Sequence, residues 1–153
     1  MFLDKETFST IIENAPLISI DLIVRNSEDK ILLGKRVNKP ALGSWFVPGG
    51  RVFKNERVED AFKRTTENEL GVNLDIKSAS FKGIYQHFYD DNVFGDEFGT
   101  HYIVMAFEIR LTNTPMTNNQ HENYMWFDED ELLTSDDVYF FVKEYFDKDK
   151  GIR

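Results

Sequence analysis

The chain has 153 residues, of which 41% are hydrophobic and 14% are aromatic. This length and composition favour one globular domain over residues 1–153 and exclude an intrinsically disordered chain. Acidic residues outnumber basic residues by 27 to 18, which gives a formal net charge of −9, and cysteine is absent. The charge disfavours a general nucleic-acid-binding protein, and the lack of cysteine excludes disulfides, thiolate metal ligands and thiol nucleophiles.

The first half of the chain predicts a short helix followed by strands. An aspartate cap and apolar residues at helical spacing predict a helix over Asp4–Asn14. Alternating apolar residues predict strands at Ile18–Val24 and Ile31–Leu33, joined as a β-hairpin by a polar cluster. A third strand, Trp45–Val47, runs into Pro48-Gly49-Gly50, where we predict a tight turn whose backbone approaches a ligand.

The second half predicts further strands between two helices. Val58–Leu70 has apolar residues at helical spacing and is followed by Gly71, a typical C-terminal cap. Strands are predicted at Ala79–His87, His101–Arg110 and Tyr124–Phe127. An aromatic helix, Val138–Phe146, ends the fold behind a cap at Ser135/Asp136. This mixed order of strands and helices indicates an α/β (α+β) sandwich.

The amino terminus and the hydropathy pattern predict a cytoplasmic protein. The opening MFLDKETF has neither a basic region nor a small-residue cleavage site. No apolar run approaches the roughly 20 residues that a membrane span requires. We therefore expect no membrane partner.

The most informative stretch of the sequence runs from Gly50 to Val72. Five residues separate Gly50 from Glu56, seven separate Glu56 from Arg64, and Glu69-Leu70-Gly71-Val72 ends the stretch. This spacing resembles the signature of the Nudix hydrolase family, in which Arg is followed by Glu, an aliphatic residue, any residue and a pair of glutamates. The resemblance implies a Nudix-type α/β/α sandwich with a mixed β-sheet.

The chain departs from that signature at its acidic positions. Thr65 stands where the family has the glutamate after Arg, and Asn68 replaces the first of the paired glutamates, so Glu69 is the carboxylate that remains. Magnesium prefers hard oxygen ligands. A lone carboxylate therefore predicts one Mg²⁺ completed by neutral carbonyls, water and substrate phosphates. Mn²⁺ accepts the same oxygen ligands.

Several other blocks resemble one Nudix branch, the GDP-mannose mannosyl hydrolases. They are Met1-Phe2-Leu3, Phe8, Leu33–Arg36, Trp45–Val52, Gln86–Asn92, Thr100-His101-Tyr102 and Gln120-His121. The resemblance implies hydrolysis of GDP-α-D-mannose, and possible use of GDP-glucose, by attack of water on the anomeric carbon. The bond cut would be C–O, with inversion, and the products would be GDP and the free sugar.

The same resemblance implies roles for residues at the metal and the leaving group. The Mg²⁺ ligands would be Gly49 through its carbonyl, Glu69 and Gln120. His121 would be the general base, since an imidazole with an ordinary pKa near 6.5 can accept a proton at neutral pH. The departing diphosphate would be stabilised by Arg36, Arg51 and Tyr102.

Other roles implied by the resemblance concern the substrate and the assembly. Asp21 and His87 would lie around the sugar and the diphosphate. Phe2, Leu3 and Phe8 would lie near the nucleotide. In this branch the enzyme is a homodimer, so residues 1–14 would form an arm at the dimer interface that helps to build the partner's site.

Two other functions fit parts of the sequence. One is an ordinary Nudix pyrophosphohydrolase that cuts a P–O–P bond, which the replacements Thr65 and Asn68 disfavour. The other is a nucleotide-sugar-binding module without catalysis, which the retained Glu69, Gln120 and His121 disfavour. The pattern around His101 predicts a packing or hydrogen-bonding residue. The aromatic segment Tyr139–Phe146 predicts core or interface without a chemical role.

Overall fold

The computed structural model describes residues 2–112 and 121–153, including all of their side chains except those of 121 and 122. The strands are β1 (Leu17–Arg25), β2 (Ile31–Arg36), β3 (Trp45–Phe46), β4 (Gly49–Arg51), β5 (Ser80–Tyr89), β6 (Thr100–Arg110) and β7 (His121–Phe127). The helices are α1 (Lys5–Asn14), α2 (Val58–Leu70), α3 (Glu129–Thr134) and α4 (Phe140–Glu144), with a 3₁₀ turn at Ile76–Ser78.

These strands form one mixed sheet with the order β3-β2-β1-β6-β5, in which β4 pairs with β1 and β7 pairs with β2. The parallel pair β1 and β6 runs in register from Leu17 opposite Tyr102 to Arg25 opposite Arg110. The predicted hairpin of β1 and β2 is antiparallel, with Arg25 opposite Ile31. Beyond that turn β2 leaves β1 and pairs with β3 and β7.

Helices cover both faces of the sheet, so the predicted α/β/α sandwich is confirmed. On one face α2 packs Ala61 and Phe62 against the even-numbered residues of β1, among them Ile20 and Leu22. On the other face α4 packs against the odd-numbered side, which includes Ile23. Alternate residues of a strand point to opposite faces, which explains why β1 is buried on both sides. No helix within the described ranges is long and apolar enough to cross a membrane.

The predicted ends of the first two helices are confirmed because their caps are local. Asp4 accepts a hydrogen bond from the Thr7 amide at 2.8 Å at the start of α1. Gly71 has a φ of +72° and ends α2.

Two predictions of local structure were wrong. Gly49 and Gly50 lie in β4, paired with Asp21 and Ile20, and do not form a turn. The last helix is shorter than predicted and begins after Tyr139, because Val138 bridges Trp45 and keeps the chain extended there. The helix α3, which precedes this bridge along the chain, was not predicted.

Candidate active site

One cleft of about 800 Å³ is lined by residues of α1, α2 and six strands, β1 to β6. It contains ten of the predicted site residues: Phe2, Leu3, Phe8, Asp21, Arg36, Gly49, Arg51, Glu69, His87 and Tyr102. Gln120 lies outside the described residues, and only the backbone of His121 is described. That backbone begins β7 opposite Arg36. The fold thus brings the described candidates together, while their roles stay predictions.

The two glycines of β4 lie in tightly packed surroundings, and Gly49 has no room for a side chain. A Cβ on Gly49 would overlap the Asp21 carboxylate and would lie 2.6 Å from the Ile20 carbonyl oxygen. A Cβ on Gly50 would lie 3.2 Å from the Thr65 hydroxyl oxygen. The glycines therefore let β4 lie closely between β1 and α2, which brings Asp21 and the α2 side chains to one cleft.

Two residues of the signature segment hold a loop against α2. Arg64 donates to both carboxylate oxygens of Glu56, at 2.8 and 2.9 Å, and to the Arg51 carbonyl at 2.8 Å. Glu56 also accepts a hydrogen bond from the Phe53 amide at 2.9 Å. A bidentate arginine–carboxylate pair is geometrically specific. Glu56 and Arg64 thus fix the loop that follows β4.

The wall of the cleft formed by α2 offers oxygen atoms that suit a hard cation. Thr65 and Glu69 are one helical turn apart, are 1% and 4% exposed, and line the cleft beside Gly49 and Gly50. Among the described residues the buried Thr65 hydroxyl has no hydrogen-bond partner. These residues also contain no cluster of three or more His, Cys, Asp or Glu side chains arranged for a metal. The wall fits a divalent ion held by few protein ligands and completed by substrate oxygens.

Two arginines give this acidic protein a locally basic site. Arg51 lies between two aromatic rings, 4.9 Å from the centre of Phe8 and 5.0 Å from that of Phe53. Arg36 donates from Nε to the Pro40 carbonyl at 2.8 Å. Within the described part of the chain, neither arginine forms an ion pair with a carboxylate. Both guanidinium groups are therefore placed to bind an anionic ligand.

The floor of the cleft is a buried polar group formed by Asp21, His87 and Tyr145. Asp21 is 7% exposed and His87 is 2% exposed. The Tyr145 hydroxyl donates to Asp21 Oδ2 and lies 3.4 Å from His87 Nε2. The His87 ring stacks on Phe141, with 4.3 Å between ring centres and 5° between planes.

Tyr145 is the functional candidate that sequence reasoning missed. It was predicted to have no chemical role because it belongs to the aromatic segment Tyr139–Phe146. The segment has no spacing that distinguishes Tyr145 from its neighbours, and Asp21 lies 124 positions away along the chain. Tyr89 also lines the cleft, although no role was predicted for it.

Burial controls the ionisation of the floor. It raises the pKa of Asp21 to about 7, with Glu69 adding to the rise, while Tyr145 and Arg36 act in the opposite direction. Burial lowers the pKa of His87 to about 3, so the imidazole is neutral at pH 7. Burial also raises the pKa of the phenols of Tyr89, Tyr102 and Tyr145, which remain protonated. At neutral pH the floor can therefore both donate and accept hydrogen bonds.

The rim of the cleft joins α1 to the loop between β5 and β6. Phe8 contacts Phe94 edge to face at 6.0 Å, and Lys39 pairs with Asp96 at 2.7 Å. Asn92 orders this loop by donating to the Phe98 carbonyl at 2.7 Å.

His101 packs outside the cleft, stacked on Phe88 at 4.3 Å.

Comparison with known proteins identifies the family. Residues 15–148 match the NUDIX domain. The chain belongs to the Nudix family. It is 41% identical over 124 residues to the low-salt glycan biosynthesis protein Agl8 of Haloferax volcanii, covering 80% of this chain and 78% of that protein. It is 39% identical over 70 residues to the ADP-ribose pyrophosphatase of Methanocaldococcus jannaschii, covering 46% of this chain and 40% of that protein.

A solved Nudix structure has the same fold. The MutT NUDIX hydrolase of Burkholderia pseudomallei matches with a TM-score of 0.72 and 25% identity, covering 88% of this chain and 98% of that one. The sandwich and the signature segment thus define a Nudix hydrolase. Nudix enzymes generally use a divalent metal such as Mg²⁺, which agrees with the oxygen donors beside α2.

Proposed function

We propose that this Nudix hydrolase converts GDP-α-D-mannose to GDP and mannose, with GDP-glucose as a second substrate. Water attacks the anomeric carbon, the C–O bond breaks with inversion, and the bonding electrons leave with the GDP oxygen. One feature of the cleft supports this function most strongly: Glu69, the one carboxylate of the signature among the described lining residues, shares the cleft with two arginines that have no carboxylate partner among the described residues.

The α2 wall favours chemistry at carbon over chemistry at phosphorus. A carboxylate-rich signature gathers metal ions for attack on a phosphate, whereas here the corresponding helix turn carries the neutral Thr65 and Asn68. Displacement at an anomeric carbon passes through an oxocarbenium-like state and requires a stabilised leaving group and a base for water. Neutralising the negative charge of the diphosphate is sufficient to stabilise the leaving group.

The leaving group is bound by residues on both sides of the cleft. Gly49, Glu69 and Gln120 would hold Mg²⁺, or Mn²⁺ in its place, and the ion supplies positive charge to the diphosphate. Arg36 and Arg51 donate hydrogen bonds to phosphate oxygens, and the protonated phenol of Tyr102 adds another donor.

His121 takes the proton from the attacking water in this proposal. Its position at the start of β7, opposite Arg36, supports a role close to the diphosphate.

Asp21 and the neutral His87 hydrogen-bond the sugar from the floor. Phe2, Leu3 and Phe8 contact the nucleotide from α1 and the segment before it, and we propose that residues 1–14 also form the contact between two subunits of a homodimer.

The relatives support a nucleotide-sugar substrate and leave a second candidate. The name of Agl8 links that protein to glycan biosynthesis, a process built on activated sugars. The name of the Methanocaldococcus relative instead favours cleavage of a P–O–P bond. An ordinary Nudix pyrophosphohydrolase is therefore the alternative.

Hydrolysis of GDP-mannose in ¹⁸O-labelled water with Mg²⁺ separates these possibilities. Our proposal predicts the label in free mannose and none in GDP. Label in a phosphate product would instead establish P–O cleavage. The absence of turnover with an intact fold would favour the binding module.

A further inference from the structure

We propose that Tyr145 is a positioning residue that holds the Asp21 carboxylate in the orientation used for hydrolysis. This inference rests on the proposed function, in which Asp21 hydrogen-bonds the sugar. Tyr145 directly follows α4 and is 2% exposed. Asp21 lines the cleft, whereas Tyr145 is not among the described residues that line it.

The two oxygens of the Asp21 carboxylate have different surroundings. Oδ2 accepts the hydrogen bond of the Tyr145 hydroxyl. Oδ1 faces Gly49, so close that a Cβ on that glycine would overlap it. A hydrogen bond to one oxygen fixes rotation of the whole carboxylate. Tyr145 thereby keeps Oδ1 directed towards β4, the strand that borders the proposed metal and diphosphate site.

The chain around Tyr145 is held firmly enough for this task. Its ring packs edge-on against Tyr85, with 4.7 Å between ring centres. The following segment is fixed to the edge strand β5, because Ile152 and Ile84 exchange two backbone hydrogen bonds of 2.7 and 2.8 Å. Gly151, with a φ of +83°, passes over the Tyr85 ring where a Cβ would lie only 2.7 Å away.

Packing alone does not account for a tyrosine at this position. A phenylalanine would fill the same volume against Tyr85, and only the hydroxyl reaches Asp21. Tyr85 provides the internal comparison: it is buried beside Tyr145, and its hydroxyl has no hydrogen-bond partner among the described residues. Among the described residues, the same chemical change from Tyr to Phe therefore removes a hydrogen bond at position 145 and none at position 85.

The test compares Tyr145→Phe with the matched control Tyr85→Phe in the full chain, with GDP-mannose and Mg²⁺. For Y145F we expect kcat to fall about tenfold or more while KM changes less than about threefold, because an unsatisfied buried carboxylate loses its orientation but the diphosphate contacts remain. The dissociation constant of GDP should stay within about twofold. Y85F should match the wild type in all three quantities.

A double-mutant cycle with Asp21→Asn shows whether Tyr145 acts through Asp21. We expect Y145F to add little to the loss caused by D21N, since residues that act as one unit are not additive. Losses that multiply would overturn the inference. A kcat for Y145F equal to that of Y85F would overturn it as well.

Two readouts do not depend on turnover and separate this inference from the proposed function. If the wild type does not hydrolyse GDP-mannose, the proposed function fails, and crystal structures of the variants still test Tyr145. We expect the Asp21 carboxylate to rotate in Y145F and to keep its orientation in Y85F; an unmoved Asp21 in Y145F contradicts the inference. Should Y145F not fold, the wild type should show a slowly exchanging Tyr145 hydroxyl proton by NMR, and its absence contradicts the contact.

Discussion

The α2 wall and the floor of the cleft are built in opposite ways. The wall comes from one continuous segment, Gly49 to Glu69, in which the loop is tied to the helix by Glu56 and Arg64. The floor joins β1, β5 and the end of the chain, through Asp21, His87 and Tyr145. The wall offers oxygen atoms that suit a cation. The floor consists of polar side chains whose pKa values are shifted by burial. Local spacing in the sequence is sufficient to predict the wall, whereas the floor forms only in the complete fold.

The largest effect is expected from removing the carboxylate of the wall. Glu69→Gln should lower the turnover by at least about a hundredfold. Mutation of a residue that only supports a metal ligand already lowers metal affinity or activity by about 10–100-fold, and Glu69 is itself a proposed ligand. The measurements are kcat and the binding of Mn²⁺ followed by electron paramagnetic resonance.

Glu67→Gln is the matched control, since Glu67 is an exposed glutamate on the same helix. It should retain wild-type turnover. Equal activity of both variants would remove Glu69 from the proposed metal site.

The next largest effect is expected from adding a methyl group in β4, where the wall meets the floor. Gly49→Ala should lower the free energy of unfolding by about 1–3 kcal/mol, as overpacking does, because the methyl group meets the Asp21 carboxylate and the Ile20 carbonyl. Gly50→Ala should cost less, since its neighbour is the Thr65 side chain at 3.2 Å. Urea unfolding measures both. The opposite ranking would show that β4 is not confined by β1.

The smallest effect concerns the pH dependence of the floor. The pKa of His87 is lowered to about 3 in the folded chain. The unfolded chain therefore binds more protons between about pH 3 and the ordinary histidine pKa near 6.5, so His87 makes the fold less stable as the pH falls through this range. By pH 5 the loss should reach about 2 kcal/mol.

Comparison of the wild type with His87→Gln isolates this contribution. The titratable groups that contact His87 are Tyr89 and Tyr145, and Tyr145 in turn binds Asp21; both chains contain all three. Asp21 acts in the opposite direction, because its raised pKa stabilises the folded chain on acidification. Urea unfolding at pH 7 and pH 5 should show a smaller acid-induced loss in H87Q. Identical pH profiles would contradict a neutral buried imidazole.

The sequence predicted the elements whose signals are local. The Asp4 cap and the Gly71 cap each depend on neighbours within one or two helical turns, and both helices have the expected bounds. The last helix was predicted too long because the bridge between Val138 and Trp45 joins distant parts of the chain. Similarly, the two glycines after Pro48 indicate a turn by composition, but their actual neighbours are Asp21 and Thr65.

The sequence by itself determined the Nudix signature, the lone carboxylate Glu69 and the two arginines, since these depend on residue type and short spacing. Only the tertiary structure showed that Gly49 makes room for Asp21 and that the Tyr145 hydroxyl binds the same carboxylate. The physical reason is that helix periods and caps are set by nearby residues. The contact between Asp21 and Tyr145 spans 124 positions, and it depends on how β4 and the segment after α4 pack around a side chain of β1.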